Sequence, residues 1–249
     1  MKRALLSMLL AACGGTTGSN LVSFQAMAGG PADATGATLA FDTASGYHVS
    51  LTRARLRIGA VYLNQTVPSS GAAASSCVLP GIYVAQVFGP VTLDLLSPLL
   101  QPFPVQGEGT QTEAHTAEVW LTGGDVNAPE DPTVILDVAG TASKGAGTYP
   151  FEGTVTISDN RATPVQNPSL PGANPICKQR IVTPIVIALT PTSGGVLTLR
   201  VDPRGMLQTV DFAAATGGTI PDTNAGPGAA LFKGLLSNAG VYQFSWGGT

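Results

Sequence analysis

The chain alternates short apolar runs with turn-forming residues over most of its length. Val, Ile, Leu and Thr recur in these runs, and Gly, Pro, Asn and Asp separate them. Such runs, bounded by turn residues, are typical of β-strands. Strands are predicted at residues 37–43, 46–52, 54–64, 81–88, 90–96, 115–122, 133–139, 148–158, 180–190, 195–202, 206–213 and 239–246.

The clearest predicted hairpin covers Val196–Phe212. Its turn would be Asp202-Pro203-Arg204-Gly205, which has Asp, Pro and Gly where a type I turn prefers them. Leu197 and Leu199 alternate with polar neighbours, so the first strand would have one core-facing side and one solvent-facing side.

Many short strands with turns between them indicate an all-β fold. We expect an antiparallel β-sandwich, with a β-barrel-like arrangement as the alternative. The 31 Gly and 19 Pro among 249 residues supply the turns, and a hydrophobic fraction of 44% is enough for a core. One short helix is predicted near Gly228–Leu236. No repeat or convincing linker divides the chain, so residues 35–249 are predicted to form a single domain.

The apolar positions change parity near Thr52. Val49 and Leu51 occupy odd positions, whereas Leu56 and Ile58 occupy even ones. Because side chains alternate between the two faces of a strand, this change predicts a β-bulge near Thr52.

With that bulge, Arg53, Arg55 and Arg57 form a cationic row on the solvent side of the strand. Such a row could bind an anionic partner, including carboxylates or lipid headgroups, through bidentate contacts. The favoured alternatives are an edge strand protected by charge, or pairing across strands with the protein's own carboxylates.

A second candidate site combines both histidines of the chain. Glu113 and His115 share one face of a predicted strand and could supply two ligands to Zn or Cu, with His48 as a third. The favoured alternative is that they are exposed polar residues at the end of a half-exposed strand. Residues 125–131 hold three carboxylates and one Asn amide, a composition that suits Ca²⁺, but their spacing is not that of an EF-hand and an ordinary turn is favoured.

Known catalytic signatures are missing from the sequence. It has no Gly-x-Ser-x-Gly, His-Glu-x-x-His, Cys-x-x-Cys or phosphate-binding loop. Without Lys2 and Arg3, ten basic residues stand against fifteen acidic ones, a net charge of −5. This balance argues against a nucleic-acid partner. The sequence therefore favours a non-enzymatic protein with no resident cofactor.

The N-terminus resembles the signal and lipobox of bacterial lipoproteins. Met1-Lys2-Arg3 precedes the apolar run Ala4–Leu10, and the string Leu10-Ala11-Ala12-Cys13 completes the motif. The resemblance implies a signal peptide over residues 1–12 that is removed before Cys13, and lipidation of that cysteine. Gly14 replaces the Asp that retains enteric lipoproteins in the inner membrane, which implies the outer membrane of a Gram-negative bacterium.

Two further expectations follow from lipidation of Cys13. The remaining cysteines, Cys77 and Cys177, form an even pair that an oxidising envelope would allow to bridge. In the chain-entropy model, a disulfide that closes a loop of about 100 residues stabilises the fold by about 4.7 kcal/mol. Residues 13–34 are expected to be a flexible tether, because Gly14–Asn20 has the composition of a linker.

The segment Phe41–Leu56 resembles the opening hairpin of uncharacterised envelope proteins of Gram-negative bacteria. Some of those proteins are His-rich and linked to metal handling, but this chain lacks the His-rich tract. Three hypotheses therefore stand in order: a lipid-anchored binding or structural module whose partner is a small ligand or an envelope protein, a metal-handling protein, and a hydrolase with an unrecognised site.

Overall fold

The computed structural model describes residues 20–66, 81–123, 131–158 and 179–247. These residues are mostly in β-strands, as the sequence predicts, and helices are few. The strands are β1 (Leu21–Gly29), β2 (Leu39–Asp42), β3 (His48–Asn64), β4 (Tyr83–Asp94), β5 (Gln101–Pro102), β6 (Gly107–Thr110), β7 (Ala114–Trp120), β8 (Asp131–Lys144), β9 (Gly147–Ile157), β10 (Ile181–Leu189), β11 (Val196–Val201), β12 (Thr219–Ile220) and β13 (Tyr242–Gly247). The helices are α1 (Pro203–Met206) and α2 (Gly226–Leu235).

The strands form one mixed, hydrogen-bonded sheet. Its main path runs β12-β9-β8-β3-β4-β6-β1-β11-β13, while β2 and β7 pair with β3, β5 with β1 and β10 with β7. Most pairs are antiparallel, but β1–β11 and β9–β12 run parallel. The prediction of a purely antiparallel arrangement is therefore wrong for these two pairs.

Strand β3 lies at the centre of this arrangement. It spans 17 residues and joins the two strands predicted at 46–52 and 54–64. Its pairing with β8 shifts between Leu51 and Arg53, which confirms the predicted bulge near Thr52. A second shift, against β4, lies between Ile58 and Ala60. One edge of β3 pairs with β2 and β4, and the other pairs with β8 and then β7.

The main core lies on one face of β3 and its neighbours. Leu51, Leu56, Ile58 and Leu63 are all fully buried there, and each such side chain contributes about 1.5–3 kcal/mol by leaving water. Gly234 allows α2 to lie against α1, since a Cβ at that position would be 1.9 Å from the Met206 carbonyl oxygen.

Helix α2 confirms the helix predicted near Gly228–Leu236. None of the helices in the described ranges is long and apolar enough to cross a membrane.

The hairpin predicted over Val196–Phe212 is wrong. Strand β11 instead pairs with β1 and β13, and the chain enters α1 directly after Asp202. The Asp202 side chain accepts a hydrogen bond from the Arg204 N–H as an N-cap, and Pro203 opens the helix. An Asp-Pro pair favours a helix start as well as a turn, so the sequence pattern alone did not separate the two.

The tether predicted over residues 13–34 is wrong from Leu21 onward. Residues 21–29 form β1, in which Val22, Phe24, Ala26 and Ala28 are buried. The first half of β1 pairs with β6, and the second half pairs with β5 and β11. Small alanines on the buried face make the alternation inconspicuous in the sequence. Cys13, Cys77, Cys177 and residues 125–130 lie outside the described residues.

Replacing Phe24 tests whether β1 belongs to the folded domain. Its ring is buried and lies edge-on to Trp246, with 5.1 Å between centroids. Phe24→Ala should lower the free energy of unfolding by about 3–5 kcal/mol, measured by urea denaturation. The neighbouring exposed Gln25→Ala should change it by less than about 0.5 kcal/mol. Equal, small effects of both changes would instead show that this segment is a tether.

Candidate functional site

The two histidines lie near opposite ends of β3. His48 is the first residue of the strand, whereas Asn64, the last, pairs with Thr116 beside His115. Since the strand between them is fully extended, they cannot share an ion. The predicted three-ligand site of His48, His115 and Glu113 is therefore wrong. No cluster of three His, Cys, Asp or Glu side chains within the described ranges is placed to hold a metal ion.

Each histidine instead faces one exposed carboxylate. His48 Nδ1 lies 2.8 Å from Asp42 Oδ1, and His115 Nδ1 lies 4.0 Å from Glu113 Oε1. All four side chains are more than half exposed to solvent. These are surface pairs of the kind that contribute little to stability.

Two members of the arginine row are engaged within the chain. Arg53 Nε lies 2.9 Å from the Asp137 carboxylate, a cross-strand pair with the protein's own acid. Arg57 donates to the Gly123 carbonyl oxygen at 2.8 Å through Nη2. Arg55 is exposed and lies in register between Asp94 and Asp137. The row therefore does not present three free cations to an anionic partner.

Asp131, the last residue of the predicted calcium loop, has a structural position. Its carboxylate accepts hydrogen bonds from Thr122 Oγ1 at 2.6 Å, from the Gly123 N–H and from the Thr133 N–H at 3.1 Å. Burial would raise the pKa of Asp131, but these hydrogen bonds outweigh it and hold the pKa below its ordinary value. The carboxylate thereby joins the end of β7 to the start of β8.

A more extensive group of polar side chains crosses five strands on the face opposite the main core. Glu118 on β7 pairs with Tyr62 on β3, which pairs with Gln86 on β4. Gln86 pairs with Glu108 on β6, and Glu108 pairs with Ser23 on β1. Because paired residues share a face of the sheet, these five side chains form one row, which we call the cross-strand row.

Four rings lie beside the cross-strand row and form what we call the aromatic cluster. Tyr62 is at its centre, edge-on to Tyr83, Phe88 and Trp120, with centroid distances of 5.3, 6.1 and 5.6 Å. Trp120 is buried, whereas Phe88 is 40% exposed. Edge-on pairs of this kind add to the stabilisation that burial gives, so the cluster holds the Tyr83 ring in a defined position.

The carboxyl group of Glu118 lies beneath this cluster and is fully buried. Its Oε1 accepts hydrogen bonds from Asn64 Nδ2 at 3.2 Å and from Tyr83 Oη at 3.4 Å, and its Oε2 accepts one from Trp120 Nε1 at 3.0 Å. Burial raises the pKa of Glu118 above its ordinary value, although the hydrogen bonds oppose the shift. Burial and the nearby Glu118 carboxyl also raise the pKa of Tyr62.

An open groove of about 630 Å³ runs over β4, β6 and β1, within the size range of small-ligand sites. Gln86, Glu108 and Ser23 of the cross-strand row line it, as does Tyr83 of the aromatic cluster. Among the described lining residues, Glu108 alone is charged. The other lining residues are Leu21, Val22, Val84, Ala85, Gly109, Thr110 and Ser193.

The described lining of the groove is mostly neutral. Its described lining contains no His, Cys, Lys or Arg. Tyr83 links the groove to the buried Glu118, since its ring lines the groove and its hydroxyl donates to the Glu118 carboxyl. The groove can present one aromatic ring, one amide, one carboxylate and several hydroxyl groups to a ligand.

None of the residues that line the groove was identified as a site from the sequence. The one local signal is Glu118, an acid between the apolar residues Ala117 and Val119 on a strand that proves buried on both faces. No protein-family model, curated protein or solved structure matches this chain.

The pH dependence of stability tests the environment of Glu118. A raised pKa means that the folded chain binds the proton more tightly than the unfolded chain. The stabilisation from Glu118 should thus be greatest below its ordinary pKa of 4.5 and should fall as pH rises through the folded-state pKa. The variant Glu118→Gln has no titrating group at this position, so this pH dependence is removed. Its amide NH₂ would face the Trp120 N–H, and the donor left without an acceptor should lower the free energy of unfolding by about 1–3 kcal/mol.

Urea unfolding between pH 4 and pH 8 measures the difference between the wild type and Glu118→Gln. We expect this difference to be largest at pH 4 and to narrow as pH rises. Gln86→Ala is the matched control, because it removes a neutral side chain nearby and its effect should be independent of pH. A difference for Glu118→Gln that stays constant or widens with pH would contradict the assignment.

Proposed function

We propose that this protein is a lipid-anchored, non-enzymatic binding module of the bacterial cell envelope and that its ligand occupies the groove over β4, β6 and β1. The observation that carries the proposal is the cross-strand row. Gln86, Glu108 and Ser23 lie in register on three strands and line the groove beside Tyr83. Side chains fixed on paired strands hold their positions better than side chains on loops.

The support beneath the groove also suits a binding site. Glu118 is a buried acid, and burying an acid costs free energy. Its hydrogen bonds to Asn64, Tyr83 and Trp120 offset that cost and orient the Tyr83 ring. A ring held in place before the ligand arrives loses less entropy on binding.

The fold supports a sandwich-like arrangement around this surface. Strand β1 pairs with β6 through Leu21–Phe24 and with β11 through Gln25–Gly29. We infer that β1 passes from one layer to a second, as strands do at the corners of β-sandwiches.

The proposed anchor would hold the groove close to the membrane. Leu21 lines the groove and is 85% exposed, and it follows the lipidated Cys13 of our proposal by eight residues. Eight residues reach at most about 29 Å, so one end of the groove would lie within that distance of the outer-membrane surface. Ligands at that surface would therefore be accessible to it.

A ligand screen monitored by backbone amide NMR tests the proposal. The sample is the mature chain with Cys13→Ser, which we expect in the soluble fraction of cells whose membranes retain the wild type. Fragments from a chemically diverse library should shift the amide signals of Gln86, Glu108 and Ser23 together. Shifts confined to other surfaces, or no shifts at all, would contradict a binding function for the groove.

A further inference from the structure

The chemistry of the groove indicates a class of ligand. We propose, resting on the function proposed above, that the groove binds a linear neutral oligosaccharide of two or three sugar units. Sugars present flat C–H faces and a rim of hydroxyl groups that both donate and accept hydrogen bonds. A site for them needs apolar surface beside polar groups of both kinds.

The groove offers both types of surface. The Tyr83 ring supplies a flat apolar face, and the exposed Leu21 side chain extends the apolar surface at the other end. The Gln86 amide can donate and accept, the Glu108 carboxylate accepts, and the Ser193 hydroxyl does either. Gln86 and Glu108 make no hydrogen bonds to other side chains in the described part of the chain, so both remain available to a ligand.

The spacing of the polar groups suits a linear chain of sugars. Gln86, Glu108 and Ser23 lie on adjacent strands, and adjacent strands are about 4.8 Å apart. That separation is close to the length of one pyranose ring. Successive sugar units laid across the strands would therefore each meet one side chain of the row.

The charge of the groove disfavours an anionic ligand. The described lining carries the Glu108 carboxylate and no cation, so phosphate or carboxylate groups would be repelled without compensation. The row of Arg53, Arg55 and Arg57 on β3 does not line the groove. Arg53 and Arg57 also bond to groups of the chain itself, the Asp137 carboxylate and the Gly123 carbonyl oxygen.

An organic cation fits less well than a neutral sugar. Glu108 is exposed, and an exposed ion pair contributes at most about 1 kcal/mol. A cation also gains from the faces of several rings around it, whereas Tyr83 is the one ring among the described lining residues. Tyr62 and Trp120 are packed edge-on within the aromatic cluster.

The proposal is tested by titrating the Cys13→Ser chain with four defined probes and monitoring its backbone amide signals by NMR. The probes are chitotriose and cellotriose as neutral linear sugars, spermidine as an organic cation and inorganic phosphate as an anion. We expect both sugars to shift the signals of Tyr83, Gln86 and Glu108, and phosphate to leave them unchanged. Gln86→Ala should raise the Kd for the sugars about two- to tenfold, through the loss of its hydrogen bonds.

Two variants serve as controls. Gln243→Ala removes an exposed amide on β13, outside this groove, and should leave the Kd unchanged. Tyr83→Phe keeps the ring face and should retain sugar binding, while its loss of the bond to Glu118 changes stability.

The outcomes separate the ligand class from the binding function. Binding of spermidine in the groove without either sugar would overturn the oligosaccharide proposal and leave the binding function standing. If neither sugar binds but fragments of the wider screen still shift the signals of Gln86 and Glu108, the oligosaccharide proposal is likewise wrong and the binding function still stands. If neither the sugars nor the screen perturb the groove, both proposals are wrong.

Discussion

The register of β3 is the constraint on which the rest of the structure depends. This strand pairs with β2, β4, β7 and β8, so its alternation decides which side chains of its neighbours face the core. The bulge between Leu51 and Arg53 and the shift between Ile58 and Ala60 each reset that alternation. A slip of one residue after Ala60 would exchange Tyr62 with the fully buried Leu63 and break the cross-strand row.

The two faces that β3 separates are stabilised differently. The inner face is a continuous apolar core, and its free energy comes from burial. On the opposite face, Ala60, Trp120 and Ile181 form a smaller apolar cluster that borders the buried Glu118. The Glu118 carboxyl accepts hydrogen bonds from three neutral donors, on Asn64, Tyr83 and Trp120. Glu118 thereby links Tyr83 and Trp120 of the aromatic cluster through its two carboxyl oxygens.

Local sequence patterns predicted what depends on local interactions. The change of parity around Thr52 predicted the bulge, because side-chain alternation is a property of neighbouring residues. The short helix α2 was predicted for the same reason. The Asp202-Pro203 pair failed as a turn signal because it serves equally well as the start of a helix, and β1 was missed because Ala26 and Ala28 form part of its buried face.

The candidate site could not be predicted, because it depends on pairings between distant segments. Ser23, Gln86 and Glu108 are brought together only by the order β4-β6-β1, which no local pattern encodes. The predicted three-ligand site of His48, His115 and Glu113 is wrong for a related reason, since it also required a contact between distant segments. The side chains of Glu113 and His115 do lie near each other, but nothing local in the sequence shows that His48 lies at the far end of β3.

Cross-strand nuclear Overhauser effects between backbone protons test the central claim most directly, because they report the register itself. The structure predicts contacts between Tyr62 and Glu118, between Tyr62 and Gln86, and between Gln86 and Glu108. Contacts displaced by one residue, such as Leu63 with Gln86, would turn Gln86 or Tyr62 toward the main core. That result would contradict the cross-strand row and the binding site that we propose on it.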